Sequence, residues 1–140
     1  MAHALAALSK FFSAIAPSIG TIGTMTPIEV NCAGFDRVCY EAVLGVAGAG
    51  GLFDMKVQDS ATTGGGLVDL PSAALVQVTK ALGDSTVQVI DCKVNPARPF
   101  HKLVVVTTTG AFPNGVIAHL YNGSGYRPAA VTAGTQVVIV

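Results

Sequence analysis

The chain has 140 residues and a mass of 14.2 kDa, which suits one domain built on one core. Its charged residues, eight basic and eight acidic, make up 11% of the chain, against about 25% in an average soluble domain. Spread over the roughly 6,800 Å² of surface that this mass implies, that leaves about one charge per 400 Å², so much of the outer surface has to be apolar or small and uncharged. A net charge of zero and a pI near 6.8 deny the protein the basic face that nucleic acid needs, and no apolar run reaches the roughly 20 residues that span a bilayer.

The first 20 residues are Ala-rich and apolar, but His3 precedes the apolar run and Lys10 interrupts it, which fits a signal peptide poorly. Leu5, Leu8, Phe12 and Ile15 recur at helical spacing, with Pro17 and Gly20 as stops, and predict a short amphipathic helix or arm over residues 1–26. From residue 27 the period becomes two. Phe53, Met55 and Val57 alternate with Asp54, Lys56 and Gln58. Val87 and Val89 alternate with Gln88, while Ile90 and Cys92 make the second face of that strand partly apolar.

Strands are predicted in IEVN, VCYEAVLGV, LFDMKVQD, TVQVIDCKV, HKLVVVTTT, GVIAHLYN and TQVVIV, with the fifth and sixth joined by a hairpin-like link through Phe112–Gly115. PSAALVQVTKALG stays open between helix and strand. The glycine clusters at 48–51 and 64–66 read as hairpin tips. Seven or eight short strands at this spacing predict an all-β fold, an antiparallel, jelly-roll-like β-sandwich over residues 27–140.

Signals for chemistry are sparse. Cys32, Cys39 and Cys92 form no C-x-x-C pair, and His3, His101 and His119 are scattered, so buried thiols are expected and no metal or other cofactor. NGSGY around Ser124 lacks the order of a nucleophile elbow. Asp54 with Asp59, or Asp69 with Asp84, offer carboxylate pairs only by chance, and Asp59 lacks the oxygen cluster of a calcium loop. Arg98, His101 and Lys102 read as a solvated strand end. No enzyme activity is expected. Tyr121 and Tyr126 with Arg127 flank a Gly-rich loop that offers a surface contact, including a small sugar platform in a chain without Trp.

The order FDRVCYEAVLGVAGAGG, LFDMKVQDSATTGGG, DSTVQVIDCKVNPARPFHKLVVVTTTG and NGVIAHLYNGSGYRP, over residues 28–128, resembles a family of small tailed-bacteriophage virion proteins. Phe35, Asp36, Val38 and Tyr40 match that family's first strand, Lys56 and Gln58 its second, and Phe100, Lys102 and Val104–Thr107 its aromatic-basic strand. Pro99, Phe100 and His101 stand where the family has an Arg-Tyr pair, so the salt bridge of that Arg is not expected here. The resemblance implies a β-sandwich on the capsid exterior, a decoration or cement protein whose partner is the major capsid protein and which works as a homo-oligomer, with a trimer favoured. A neck, tail or fibre component and a secreted carbohydrate-binding sandwich are the alternatives. Leu5, Leu8, Phe11, Phe12 and Ile15 are the expected capsid or subunit contacts, unless they cover the domain's own core.

Overall fold

The computed structural model describes residues 9–18, 20–123 and 134–140. Its strands, in chain order among the described residues, are β1 (Ser9–Ser18), β2 (Gly23–Thr24), β3 (Val30–Asn31), β4 (Arg37–Leu44), β5 (Leu52–Ser60), β6 (Val68–Ala74), β7 (Val78–Thr79), β8 (Val87–Lys93), β9 (Phe100–Thr108), β10 (Asn114–Tyr121) and β11 (Val137–Ile139). A single helical turn, α1 (Lys80–Gly83), precedes β8. Sheet A has the order β1-β10-β4-β8-β11 and sheet B the order β2-β9-β5-β6, with β3 added on β9 and β7 on β5. All pairings are antiparallel except β11 on β8. The protein is an all-β, jelly-roll-like sandwich.

Alternation decides which side chains fill the space between the sheets. Val38, Tyr40, Ala42 and Leu44 of β4 face Phe53, Met55 and Val57 of β5 and Leu103 and Val105 of β9, all buried. Phe53 and Phe112 meet edge to face at 6.0 Å between centroids. The buried amide of Gln88 donates to Thr86 Oγ1 at 2.7 Å and to the Gly134 carbonyl at 2.9 Å, and its oxygen accepts from the Gln136 N–H at 2.8 Å. These bonds dock the approach to β11, which the short parallel ladder alone would hold weakly.

Three sequence expectations are corrected. Residues 9–18 are not a helix but the edge strand β1, paired with β10 from Ser9↔Tyr121 to Ser18↔Asn114. The link through Phe112–Gly115 is not a hairpin, because β9 belongs to sheet B and β10 to sheet A. The cluster at 48–51 is likewise an arch from sheet A to sheet B, while the cluster at 64–66 does close a hairpin between β5 and β6. The two arches pack backbone on backbone, with the Gly48 N–H donating to the Ala111 carbonyl at 2.8 Å. A Cβ on Gly110 would lie 2.6 Å from the Ala49 carbonyl oxygen, so only glycine fits that crossing. PSAALVQVTKALG resolves into the end of β6, then β7, then α1, and Pro71 is tolerated because β6 is an edge strand.

The three cysteines are buried and free. Burial pushes the Cys32 and Cys39 thiols up to about 12, and raises that of Cys92 as well. At pH 8 the folded chain is therefore expected to leave all three unalkylated by iodoacetamide over a period in which urea-unfolded chain reacts at every one, as read by intact mass. Fast labelling of the folded protein contradicts this packing.

Candidate functional site

The two outer faces of the sandwich differ in chemistry. Outside sheet B, the β5 residues Asp54, Lys56 and Gln58 are bonded to their surroundings. Lys56 donates to Asp69 at 2.6 Å, Gln58 to Asp69 at 2.7 Å and Gln77 to Asp54 at 2.9 Å. This face mixes a bonded polar row on β5 with the half-buried Val104 and Val106 of β9, which pair with Lys56 and Asp54. Outside sheet A the exposed side chains include Phe11, Val43, Val87 and Ile117, with exposures of 64%, 49%, 38% and 42%. Strand register explains the grouping: Phe11 pairs with His119, Ser13 with Ile117, Ile117 with Glu41, and Val43 with Val87. Cys39, Val89 and Asp91 share that parity but are buried. The open part of the face therefore lies toward β1 and toward the Val43–Val87 end.

An apolar hollow of about 570 Å³ opens in this region, lined by Pro17, Val43, Pro113, Gly115 and Ile117 among others. Its shape comes from β1, whose register with β10 shifts between Ser13 and Ile15 and again between Ile15 and Ser18. Gly115 belongs to its floor; a Cβ there would come within 3.1 Å of Pro17 Cα. Beside the hollow, Phe11 stacks on His119 at 4.1 Å and His119 leans on Tyr121 at 5.4 Å, forming an aromatic row across the edge of the sheet.

Acids and bases are spent on structure. Arg37 Nε donates to Asp91 Oδ1 at 3.2 Å, and Tyr121 donates to Asp91 Oδ2 at 2.7 Å. Arg98 donates to Asp59 Oδ1 at 2.6 Å and to the carbonyls of Asp59 and Gly66, tying down the β5–β6 hairpin. Asp84 accepts from Lys80 at 2.6 Å and from the Ala47 N–H at 2.8 Å. The carboxylates of Asp54 and Asp59, and of Asp69 and Asp84, thus bond to different partners and are not brought together. Arg98, His101 and Lys102 are not a solvated cluster either, since His101 is fully buried between the sheets. Among the described residues no group of three or more His, Cys, Asp or Glu is arranged to hold a metal ion.

Of the residues expected to make contacts, Phe11 points outward, Phe12 is partly buried against the chain's own core and Ile15 lies within that core. Tyr121 is half-buried with its hydroxyl engaged by Asp91. Leu5, Leu8, Tyr126 and Arg127 lie outside the described residues. Sequence reasoning passed over Val43, Val87 and Ile117. Their signal was present in the strands that are apolar on both parities, VCYEAVLGV, TVQVIDCKV and, at Val116–Ile117, GVIAHLYN.

No protein-family model and no curated protein sequence matches the chain. Solved structures do. Chains of the Gt and Gx strains of infectious bursal disease virus align with TM-scores of 0.55 and 0.54, at 15% and 13% identity, over 88% and 84% of this chain. A chain of the VP2 subviral particle of that virus aligns with a TM-score of 0.50 at 14% identity over 82%. This chain spans 33% of the length of each. The likeness is one of fold: the chain carries a β-sandwich that these viral chains also contain.

Proposed function

We propose that this protein is a non-enzymatic structural component of a virion, a decoration or cement protein that binds the outside of an assembled capsid and stabilises it. The observation that carries the reading is the outer face of sheet A, where an apolar hollow is flanked by the exposed Phe11, Val43 and Ile117, without the bonded polar row that β5 sets on the other face. A subunit held against neighbours tolerates such a face, whereas a free monomer pays for it in solubility. The likeness in fold to chains of a virus particle supports the same reading. The major capsid protein is the proposed partner, with the protein acting as a homo-oligomer, a trimer suited to threefold or quasi-threefold positions.

Each site on such a lattice needs only weak affinity, because contacts to neighbouring capsomers act together through effective concentration. A ligand that binds the assembled geometry and not the separated subunits stabilises the assembly by mass action. Particles stripped of the protein are accordingly expected to release DNA at a lower temperature than decorated ones. Washing with about 1 M salt, where the Debye length is about 3 Å, is expected to remove little of it, since the exposed face is apolar. Equal thermal stability with and without the protein rules out the cement role. A copy number of about six or twelve per particle, in place of hundreds, moves the protein to the neck or tail.

A further inference from the structure

We propose that the N-terminal half of β1 is a self-pairing edge, at which a second copy of this chain adds its own β1 antiparallel, Phe11 opposite Phe11. The contact goes beyond the virion reading and does not depend on it.

β1 is the outermost strand of sheet A, with no strand beyond it among the described residues. Proteins blunt such edges with bulges, proline and charge, or cover them. Among the described residues the protection is confined to one half. The register shifts fall after Ser13, Pro17 stands near the end, and the carbonyl of Ala14 already accepts the Ile28 N–H at 2.9 Å. Residues 9–13 keep regular register with β10 and carry none of these devices except Lys10.

The sequence of that open stretch, Ser-Lys-Phe-Phe-Ser, is complementary to itself. Antiparallel pairing centred on Phe11 sets Phe11 against Phe11 of the second copy, Lys10 against its Phe12, and Ser9 against its Ser13. An isologous contact of this kind requires that whatever residue i meets, the partner's residue i is met in the same way. The Lys10–Phe12 pairing repeats between copies an interaction made within each chain, where the Lys10 ammonium lies 4.5 Å from the centroid of the Phe12 ring. Phe11, 64% exposed and stacked on His119, extends the aromatic row across the twofold axis into the other copy's Phe11 and His119.

Directly opposed residues on antiparallel strands have Cβ atoms about 4.5–5.5 Å apart, close enough for a disulfide after small adjustment. A five-residue edge contact is small against the roughly 800 Å² per partner of a standard interface. The pair therefore forms at high protein concentration, or where copies are already held side by side. A twofold contact joins one copy to one other, so it adds to a trimer and does not replace it.

The test is cross-linking of the full chain. Phe11→Cys, mildly oxidised at about 100 μM, is expected to give a reducible dimer, while Ser13→Cys, whose equivalents are offset by four residues, stays monomeric on a denaturing gel. The three native cysteines are buried and silent. Phe11→Glu in the unlinked protein is expected to lower the weight-average mass measured by sedimentation at that concentration, with an unchanged melting curve showing that the fold is intact. Equal linking at positions 11 and 13, or no linking at 11, overturns the proposal. So does a Phe11→Glu chain that loses capsid binding while the unmodified protein shows no self-association, because the edge then belongs to another protein's strand. Efficient linking by a protein that fails to decorate capsids sinks the virion reading alone.

Discussion

Replacing Arg37 with Ala is expected to lower the melting temperature by about 10 °C, a larger loss than any surface ion pair of this protein gives. Arg37 is 13% exposed and its partner Asp91 is fully buried. One guanidinium nitrogen reaches the Asp91 carboxylate at 3.2 Å, and another reaches the Asp91 carbonyl at 3.2 Å and the Val140 carbonyl at 2.9 Å. Removing the cation takes from a buried carboxylate the guanidinium that holds it, a change that costs about 3–5 kcal/mol in comparable sites. For a domain of this size each kcal/mol is about 3–4 °C. Arg37→Lys keeps the charge but not the fork, so it recovers only part of the loss. Arg37→Met combined with Asp91→Leu is expected to be milder than Arg37→Ala, since the buried carboxylate is removed together with its cation. By contrast, Lys56→Ala breaks a pair whose side chains are 40% and 55% exposed and is expected to shift stability by less than about 1 kcal/mol. Differential scanning calorimetry separates these outcomes, and an Arg37→Ala chain that melts like Lys56→Ala refutes the clamp.

The same residues show what a linear sequence discloses and what it hides. Phe53, Met55 and Val57 face inward as their alternation predicts, because a strand with one wet side has only one workable orientation. β1 misleads for a physical reason. Phe12 and Ile15 both point toward the core although they are three apart, because the register shift between Ser13 and Ile15 inserts one extra residue between them. That spacing of three is indistinguishable, in sequence, from one turn of helix. The links after β4 and β9 were misassigned for a different reason. Gly, Pro and Asn free the backbone to turn, but they do not say whether the next strand pairs with the last or crosses to the other sheet. Pairing partners decide that, and they lie far along the chain, as in Val57↔Leu103. The outer face of sheet A was half legible: Phe11, one of the expected contacts, is exposed there, whereas the hollow beside it depends on Pro17 meeting Gly115, which are 98 positions apart in sequence. The polar bonding that separates the two outer faces is equally non-local, as in Gln77 with Asp54.

Acid is expected to weaken the fold before Asp69 and Asp84 protonate, and His101 is the cause. Its ring is fully buried, neither ring nitrogen has a hydrogen-bond partner among the described residues, and the Tyr40 ring lies 6.3 Å away between centroids. Burial holds the imidazole down to about 4 from an ordinary value of 6.5, and the opposing pull of the Asp59 charge, paired across the strands, only partly offsets this. Between those values the unfolded chain binds a proton that the folded chain refuses, so stability falls as pH falls. The contribution is complete above about 6.5 and gone near 4, and a gap of that size corresponds to about 3 kcal/mol. Asp69 and Asp84 act in a separate window. Hydrogen bonds from Lys56 and Lys80 hold them below the usual carboxylate value of 3.8, and their stabilisation is lost only as pH drops below it. Urea midpoints measured from pH 7.5 to 4.5 are therefore expected to decline in the unmodified protein and to stay nearly level in His101→Phe, which fills much of the same space without a titratable group. A His101→Phe chain that declines as steeply as the parent shows that some other group governs the acid response.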